Sequence, residues 1–380
     1  MKTALARLGL CLAAIAALGC SAQRGGESAN EIVIGEYGSL TGTTATFGIS
    51  TKNGIDMAID EVNRAGGLLG KRVRVIVEDD QGRPEEAQTV VTKLITRDRV
   101  VAILGEVASS RTLAAAPVAQ QNRIPMISPS STNPRVTEVG DYIFRVCFID
   151  PFQGFVMAKF AANTLKIRNV AVLRDIKNDY SVGLADVFVA EFQKMGGRIV
   201  ADQSYSEGDT DFSAQLTAIK AQNPQAIFVP GYYTEVGLIA RQAKQLGINV
   251  PLLGGDGWDS PKLWEIGGTA LNGSYYSNHS SMDDPSPAIQ KFVAEYRARF
   301  QETPDALAAL GYDAAMMLFD AIRRANSTEP AAIRDALAQT RDFAGITGKI
   351  TLDANRNPVK PAVVLQVQDG ALKYVETVSP

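Results

Sequence analysis

The sequence predicts an α/β protein built from two doubly wound parallel-sheet lobes. Three observations carry that prediction. From Glu31 onward, short apolar, β-branched runs alternate with amphipathic stretches, the pattern of a parallel sheet with helices on both faces. The same series of elements occurs twice, offset by roughly 126–130 positions, a period that fits a copied domain and not a solenoid unit. A Gly-Gly pair stops a helix at the matching place in each copy, Gly66-Gly67 and Gly196-Gly197.

In the first copy, Ile32-Val33-Ile34-Gly35 predicts a strand. Residues 50–64 predict a helix with Ile55, Ala58, Ile59 and Val62 on one face. Val73 to Val77 predicts the second strand and Glu78 to Gly82 a polar loop. Pro84 opens a helix whose apolar face is Ala87, Val90, Val91, Leu94 and Ile95. The runs 100–105 and 124–128 predict the third and fourth strands.

The second copy begins with a strand at 170–173 and a helix near 181–195. Ile199-Val200-Ala201, a polar loop at 207–211 and a helix with Phe212, Leu216 and Ile219 follow. Strands at 226–231 and 250–254 match the third and fourth strands of the first copy. The tail predicts helices at 286–302, 305–324 and near 329–339. Ile350-Thr351-Leu352 and 363–367 then predict two late strands around an Asn/Pro-rich turn. These elements are too few for a domain and must be appended to the two lobes.

At the N-terminus, Lys2 and Arg7 precede an apolar run from Leu8 to Gly19. A membrane-spanning helix needs roughly 20 apolar residues, so residues 1–19 read as a signal peptide. Ala17-Leu18-Gly19-Cys20 resembles a bacterial lipobox, which makes Cys20 a lipidation site, although Ala17 stands where such boxes usually carry Leu. Cleavage after Cys20-Ser21-Ala22 is the competing reading. Residues 20–30 are polar and read as a lipid-anchored flexible tether. Cell-envelope or periplasmic location follows, membrane-anchored through Cys20 or, on the competing reading, soluble.

Removing residues 1–19 leaves about 36 basic against 41 acidic residues. That balance gives no footprint for nucleic acid. With Cys11 in the signal and Cys20 lipidated, Cys147 stands alone among Phe144, Val146 and Phe148. It reads as an inert buried thiol, and no internal disulfide can form.

Ligands of open parallel sheets bind beyond the carboxyl ends of the strands. After the third strand comes Gly105-Glu106-Val107-Ala108-Ser109-Ser110-Arg111-Thr112, and after the fourth Ser128-Pro129-Ser130-Ser131-Thr132-Asn133-Pro134. Hydroxyls and free N–H groups at a helix start suit a carboxylate; capping by Ser109 and Thr132 is the plainer alternative. The matching loops of the second copy carry Gly231-Tyr232-Tyr233 and Gly254-Gly255-Asp256-Gly257-Trp258. A carboxylate opposite the hydroxyl loops, with tyrosines around it, suits a zwitterion. Asp256 also reads as a turn residue bonding its own backbone.

Enzyme chemistry lacks its residues. The only histidine, His279, lies in a Ser-rich stretch that reads as a surface loop. A Ser–His pair or a two-His metal site is therefore hard to build. HExxH and GxSxG motifs are absent. The run 66–71 imitates a phosphate loop, but it follows a helix and has Arg72 where Ser or Thr is needed. The run 353–358 imitates a calcium loop but lacks its central Gly and its twelfth acidic residue, and reads as a turn.

The chain resembles the branched-chain amino-acid-binding (leucine-binding-protein-like) family of periplasmic ABC-importer solute receptors. The resemblance covers nearly all of residues 31–375. It rests on Gly38-Ser39-Leu40-Thr41-Gly42, Ala65-Gly66-Gly67, Glu78-Asp79-Asp80, both hydroxyl loops, Asp179-Tyr180, Gly231-Tyr232 and Gly255-Asp256-Gly257.

The resemblance implies a type I periplasmic binding protein, with lobes joined by three crossovers. Lobe 1 would be 31–147 plus 284–346 and lobe 2 148–283 plus 347–377. Ser109, Ser130 and Thr132 would hold a ligand carboxylate. Tyr180 and Tyr232 would close over it, Phe47 would pack on the side chain and Asp256 would take the ammonium. Leucine-type receptors have Glu at this last place. The disulfide of the best-known members has no counterpart, since Gly82 and Ala108 stand there. The resemblance assigns no role to Trp258. The implied function is capture of a branched-chain or similar amino acid for an ABC permease by a monomer without cofactor or metal. The alternative is a sensor of amides or aromatic acids working with a membrane signalling partner.

Overall fold

The computed structural model describes residues 30–380. The signal peptide, Cys20 and nearly all of the tether lie outside the described residues. Five parallel strands form the first sheet: β1 (Glu31–Gly38), β2 (Arg72–Asp79), β3 (Ile103–Leu104), β4 (Met126–Ser128) and β5 (Ile143–Arg145), in the order β2-β1-β3-β4-β5. The second sheet repeats that order with β6 (Asn169–Asp175), β7 (Arg198–Tyr205), β8 (Ala226–Phe228), β9 (Leu252–Gly254) and β10 (Ser274–Asn278), as β7-β6-β8-β9-β10. A small hairpin of β11 (Phe343–Gly345) and β12 (Gly348–Ile350) follows. The strands β13 (Ala362–Gln368) and β14 (Ala371–Val378) then extend the second sheet, with β13 antiparallel to β10.

The repeat is legible because central parallel strands are covered on both faces and read as unbroken apolar runs. Met126 and Ile127 in β4, and Ala226, Ile227 and Phe228 in β8, are all fully buried. The regular strands are shorter than the apolar runs: 100–105 yields only β3, and 226–231 only β8. The first helix, Ala45–Arg64, starts five residues before the apolar periodicity does, and Phe47 at its N-terminal end lines the cleft.

Two of the predicted late-strand residues pair elsewhere. Ile350 faces Phe343 in the β11–β12 hairpin, and Leu352 bridges to Pro358 around the Asp353 turn. The Asp353 carboxylate accepts from the N–H groups of Asn355 and Asn357, both at 2.8 Å, and so closes that turn.

The chain crosses between the sheets three times: after β5, after β10 and after β12. Helices Pro287–Phe300 and Ala306–Ala325 belong with the first sheet. Tyr296 accepts a hydrogen bond from Asn53 at 3.1 Å, and Tyr312 donates to Glu61 at 2.7 Å. The crossing of Ala306–Ala325 over Ala45–Arg64 is so close that a Cβ at Gly54 would lie 1.9 Å from the Ala308 carbonyl oxygen. Lys360, on the third crossing, donates to the Val146 carbonyl at 3.2 Å on the first, and also to Thr347. The crossings thus form one buried hinge.

Candidate functional site

The loops at the carboxyl ends of β3, β4, β8 and β9 face each other across the gap between the sheets. They close on a tight cavity with room for little more than a water molecule, lined by Phe47, Val107, Ser109, Ser130, Thr132, Tyr180, Tyr232, Asp256, Gly257 and Leu307. All seven predicted ligand-binding residues lie in that lining.

The hydroxyl loops do not act as helix caps. Helix Ser109–Gln121 has Ala108 at its N-cap and no side-chain cap. Ser109 Oγ instead accepts from Asn133 N–H at 3.2 Å and ties the two loops together. Thr132 Oγ1 is buried beside the Asp150 carboxyl, without a well-formed hydrogen bond among the described residues. The Thr132 carbonyl receives Asp150 N–H at 2.9 Å, which anchors that loop to the first crossing.

Asp256 follows β9 in a single 3-10 turn, Asp256–Trp258, and its carboxylate does not bond its own backbone. Its Oδ2 meets His279 Nε2 at 2.9 Å and Ser130 Oγ at 3.3 Å, while Oδ1 is buried without a partner. Its backbone N–H donates to Gln153 Oε1 at 2.8 Å. Gly257 must be glycine here, since a Cβ would lie 2.8 Å from the Gly231 carbonyl and 3.1 Å from the Tyr180 ring. That absence of side chain lets Gly257 N–H donate to Tyr180 Oη at 3.1 Å. Tyr180 stacks on Tyr232 at 5.4 Å, and Phe47 meets the Tyr232 ring edge-on at 5.3 Å.

Trp258 is fully buried beneath the site. Its indole N–H donates to the Val229 carbonyl at 3.0 Å and its ring packs near Tyr276. It supports the Asp256 turn from below and is absent from the cavity lining.

His279 is not on a surface loop. Its side chain has no exposure and its ring stacks on Phe148 at 3.9 Å. Polar neighbours such as Ser277, Asn278 and Ser280 suggested solvent, but they lie in the hinge, covered from both lobes. Burial lowers the His279 pKa, with Asp256 opposing the shift. The ring is therefore neutral at neutral pH, with Nε2–H donating to Asp256 and the Nδ1 lone pair unpartnered. Sequence reasoning also missed Gln153, a buried helical residue that carries the Asp256 turn and accepts from Ser277 Oγ at 2.9 Å. Nothing in its local pattern marks it.

Ser130, His279 and Asp256 are a serine, a histidine and an aspartate in contact. They are not a hydrolytic triad. Ser130 at 3.5 Å and Asp256 at 2.9 Å meet the same ring nitrogen, whereas proton relay needs one on each nitrogen. Burial pushes the nearby Asp150 carboxyl up to about 8 and the Cys147 thiol up to about 12. Cys147 is the inert thiol expected. Among the described residues, no group of three or more His, Cys, Asp or Glu side chains could hold a metal ion.

The lobes meet around the cavity through further contacts. Thr46 Oγ1 lies 2.9 Å from Ser260 Oγ, Thr234 donates to the Thr43 carbonyl at 2.7 Å, and Ser110 donates to Asp179 at 2.8 Å. Arg111 pairs with Glu207 at 2.9 Å.

Two like lobes on a three-crossing hinge, closed over a small polar-ended cavity, define a solute-binding receptor. The chain belongs to the periplasmic binding protein family, whose model matches residues 31–371. It is similar to the Leu/Ile/Val-binding protein BraC3 of Rhizobium johnstonii, 33% identical, with 84% of this chain and 87% of that protein covered. It is similar in structure to a leucine-binding protein LivK of Thermotoga maritima, with TM-score 0.89 and 41% identity, covering 92% of this chain and 99% of that one. It is also similar to the branched-chain amino acid transporter substrate-binding protein LivJ of Streptococcus pneumoniae, solved with isoleucine, with TM-score 0.88, 35% identity and coverage of 92% and 100%. The protein is accordingly a periplasmic substrate-binding receptor of the ABC-importer type and not an enzyme.

Proposed function

We propose that this receptor captures a branched-chain or similar amino acid as a zwitterion, by closure of its two lobes, for delivery to ABC permease subunits. One observation carries the reading. The same cavity holds a buried hydroxyl without a well-formed hydrogen bond, Thr132 Oγ1 beside the Asp150 carboxyl, and a buried carboxylate oxygen without a partner, Asp256 Oδ1, on opposite lobes. Orphaned buried polar atoms are costly, and a carboxylate and an ammonium complete these two.

In this reading Ser109, Ser130 and Thr132 receive the carboxylate. Asp256 receives the ammonium, and Tyr180 and Tyr232 close over the α-carbon. Phe47, Val107 and Leu307 supply the apolar end. The lobes divide near residues 147, 284 and 347, and the protein works as a monomer tethered through lipidated Cys20. The relatives named for leucine, isoleucine and valine support the same solute class.

A thermal-shift panel tests this, because a ligand that binds only the folded state raises its melting temperature. Leucine, isoleucine or valine raises the melting point. A rise with benzoate or acetamide and none with any amino acid replaces this reading.

A further inference from the structure

Asp256 stands on a short turn whose backbone is pinned by Gln153 and Tyr180, which leaves the carboxylate as the part still to be aimed. Its useful oxygen, Oδ1, is aimed by whatever holds Oδ2. The shorter of its two contacts there is His279 Nε2 at 2.9 Å; Ser130 Oγ is at 3.3 Å. His279 is itself rigid. Its ring is stacked on Phe148, and its backbone N–H donates to Asn278 Oδ1 at 2.8 Å. Phe148 lies on the first crossing of the hinge and His279 opens the second. The imidazole therefore links the hinge, Ser130 of one lobe and Asp256 of the other.

We propose that His279 is a positioning residue that aims the Asp256 carboxylate at the ligand ammonium and makes solute capture sensitive to protonation. The proposal rests on the amino-acid reading given above. A neutral ring donates one hydrogen bond and leaves the Asp256 charge for the ligand. An imidazolium at the same distance places a second cation on the same carboxylate, where it repels the ammonium and competes for the charge. Closed, ligand-bound protein therefore disfavours the protonated ring.

The other charged groups facing this region do not reverse the sign. Asp259 favours the protonated ring and Lys360 opposes it. Asp150 has its carboxyl pushed up to about 8 by burial, so it is neutral through the acid range. By linkage, affinity is fully present above the pKa that His279 has in the open protein. It falls by up to about tenfold per pH unit below that.

The test is calorimetric titration of leucine, isoleucine and valine between about pH 5 and 8 on wild type, H279Q, H279L and D256A. The wild type weakens on the acid side. H279L, which lacks a donor, binds roughly tenfold or more weakly across the range. H279Q, whose amide N–H reaches the position of Nε2 but does not titrate, recovers much of that loss and binds without the acid-side fall. Wild-type affinity in H279L, or equal pH profiles in wild type and H279Q, overturns the proposal. If H279L does not fold, the H279Q profile alone decides. Weak binding by D256A beside full binding by H279L rejects only the role of His279. Full binding by D256A, or no binding of these amino acids by wild type, rejects the amino-acid reading and this proposal with it.

Discussion

Arg111 of one lobe donates from Nη2 to Glu207 Oε1 of the other at 2.9 Å across the closed cleft. The arginine is buried and already held by Ser39 Oγ at 3.0 Å and Thr44 Oγ1 at 2.8 Å within its own lobe. Its partner is about a third exposed. Neither side chain lines the cavity. The pair therefore acts on closure and not on ligand contact.

Glu207→Gln accordingly weakens solute binding several-fold, about 1 kcal/mol for a pair with one partly exposed member. The loss sits in the dissociation rate, with association little changed. Stopped-flow kinetics separates the two. An unchanged dissociation rate removes the latch role.

Thr132→Val separates binding from folding. The hydroxyl it removes makes no well-formed hydrogen bond within the protein and lies only beside the Asp150 carboxyl, so the melting temperature of the free protein changes little. Affinity for the solute falls by about 1–3 kcal/mol, the value of a hydrogen bond to a charged group. Paired melting and calorimetry check this; a large loss of stability with unchanged affinity assigns Thr132 to the fold alone.

Glu36 contributes a decline in stability toward alkaline pH. Glu36, buried in β1 with Oε2 unpartnered, has its carboxyl pushed up from 4.5 to about 8, chiefly by burial and then by Asp56, against Lys52. A carboxyl whose folded pKa is raised contributes stability that is complete below the unfolded value and lost as pH rises through the folded one. Glu36→Gln therefore changes the melting temperature little near pH 4.5 and raises it progressively up to about pH 8. Melting curves across that window check the sign.

Cys20→Ala releases the mature protein from membranes into the soluble fraction if the lipid is the anchor. Fractionation followed by immunoblotting reads this. Retention of the variant on the membrane removes the lipoprotein assignment.

Much of the fold was readable because the doubled strand series is written in buried, unbroken apolar runs. The strands that escaped lack that signature. β10 is Ser274-Tyr275-Tyr276-Ser277-Asn278, polar yet buried between β9 and β13. β5 contains Arg145, whose buried guanidinium donates to the carbonyls of Ser131 and Asn133. β14 is an exposed edge strand without alternation. The cavity was readable for a related reason, since strand ends in a parallel sheet dictate where loops converge. His279 and Gln153 were not, because their roles come from the hinge packing three crossings together, which no local pattern records.

The central claim is recognition of both ends of a zwitterion, and calorimetric titration of leucine against its two truncated analogues tests it most directly. Leucine binds. Isopentylamine, without the carboxylate, and 4-methylpentanoate, without the ammonium, each bind about 100-fold or more weakly, because each leaves Thr132 or Asp256 unpaired in a closed site. Asp256→Ala lowers leucine affinity by a comparable factor and removes the advantage of leucine over 4-methylpentanoate. Equal binding of 4-methylpentanoate and leucine by the wild type contradicts the account.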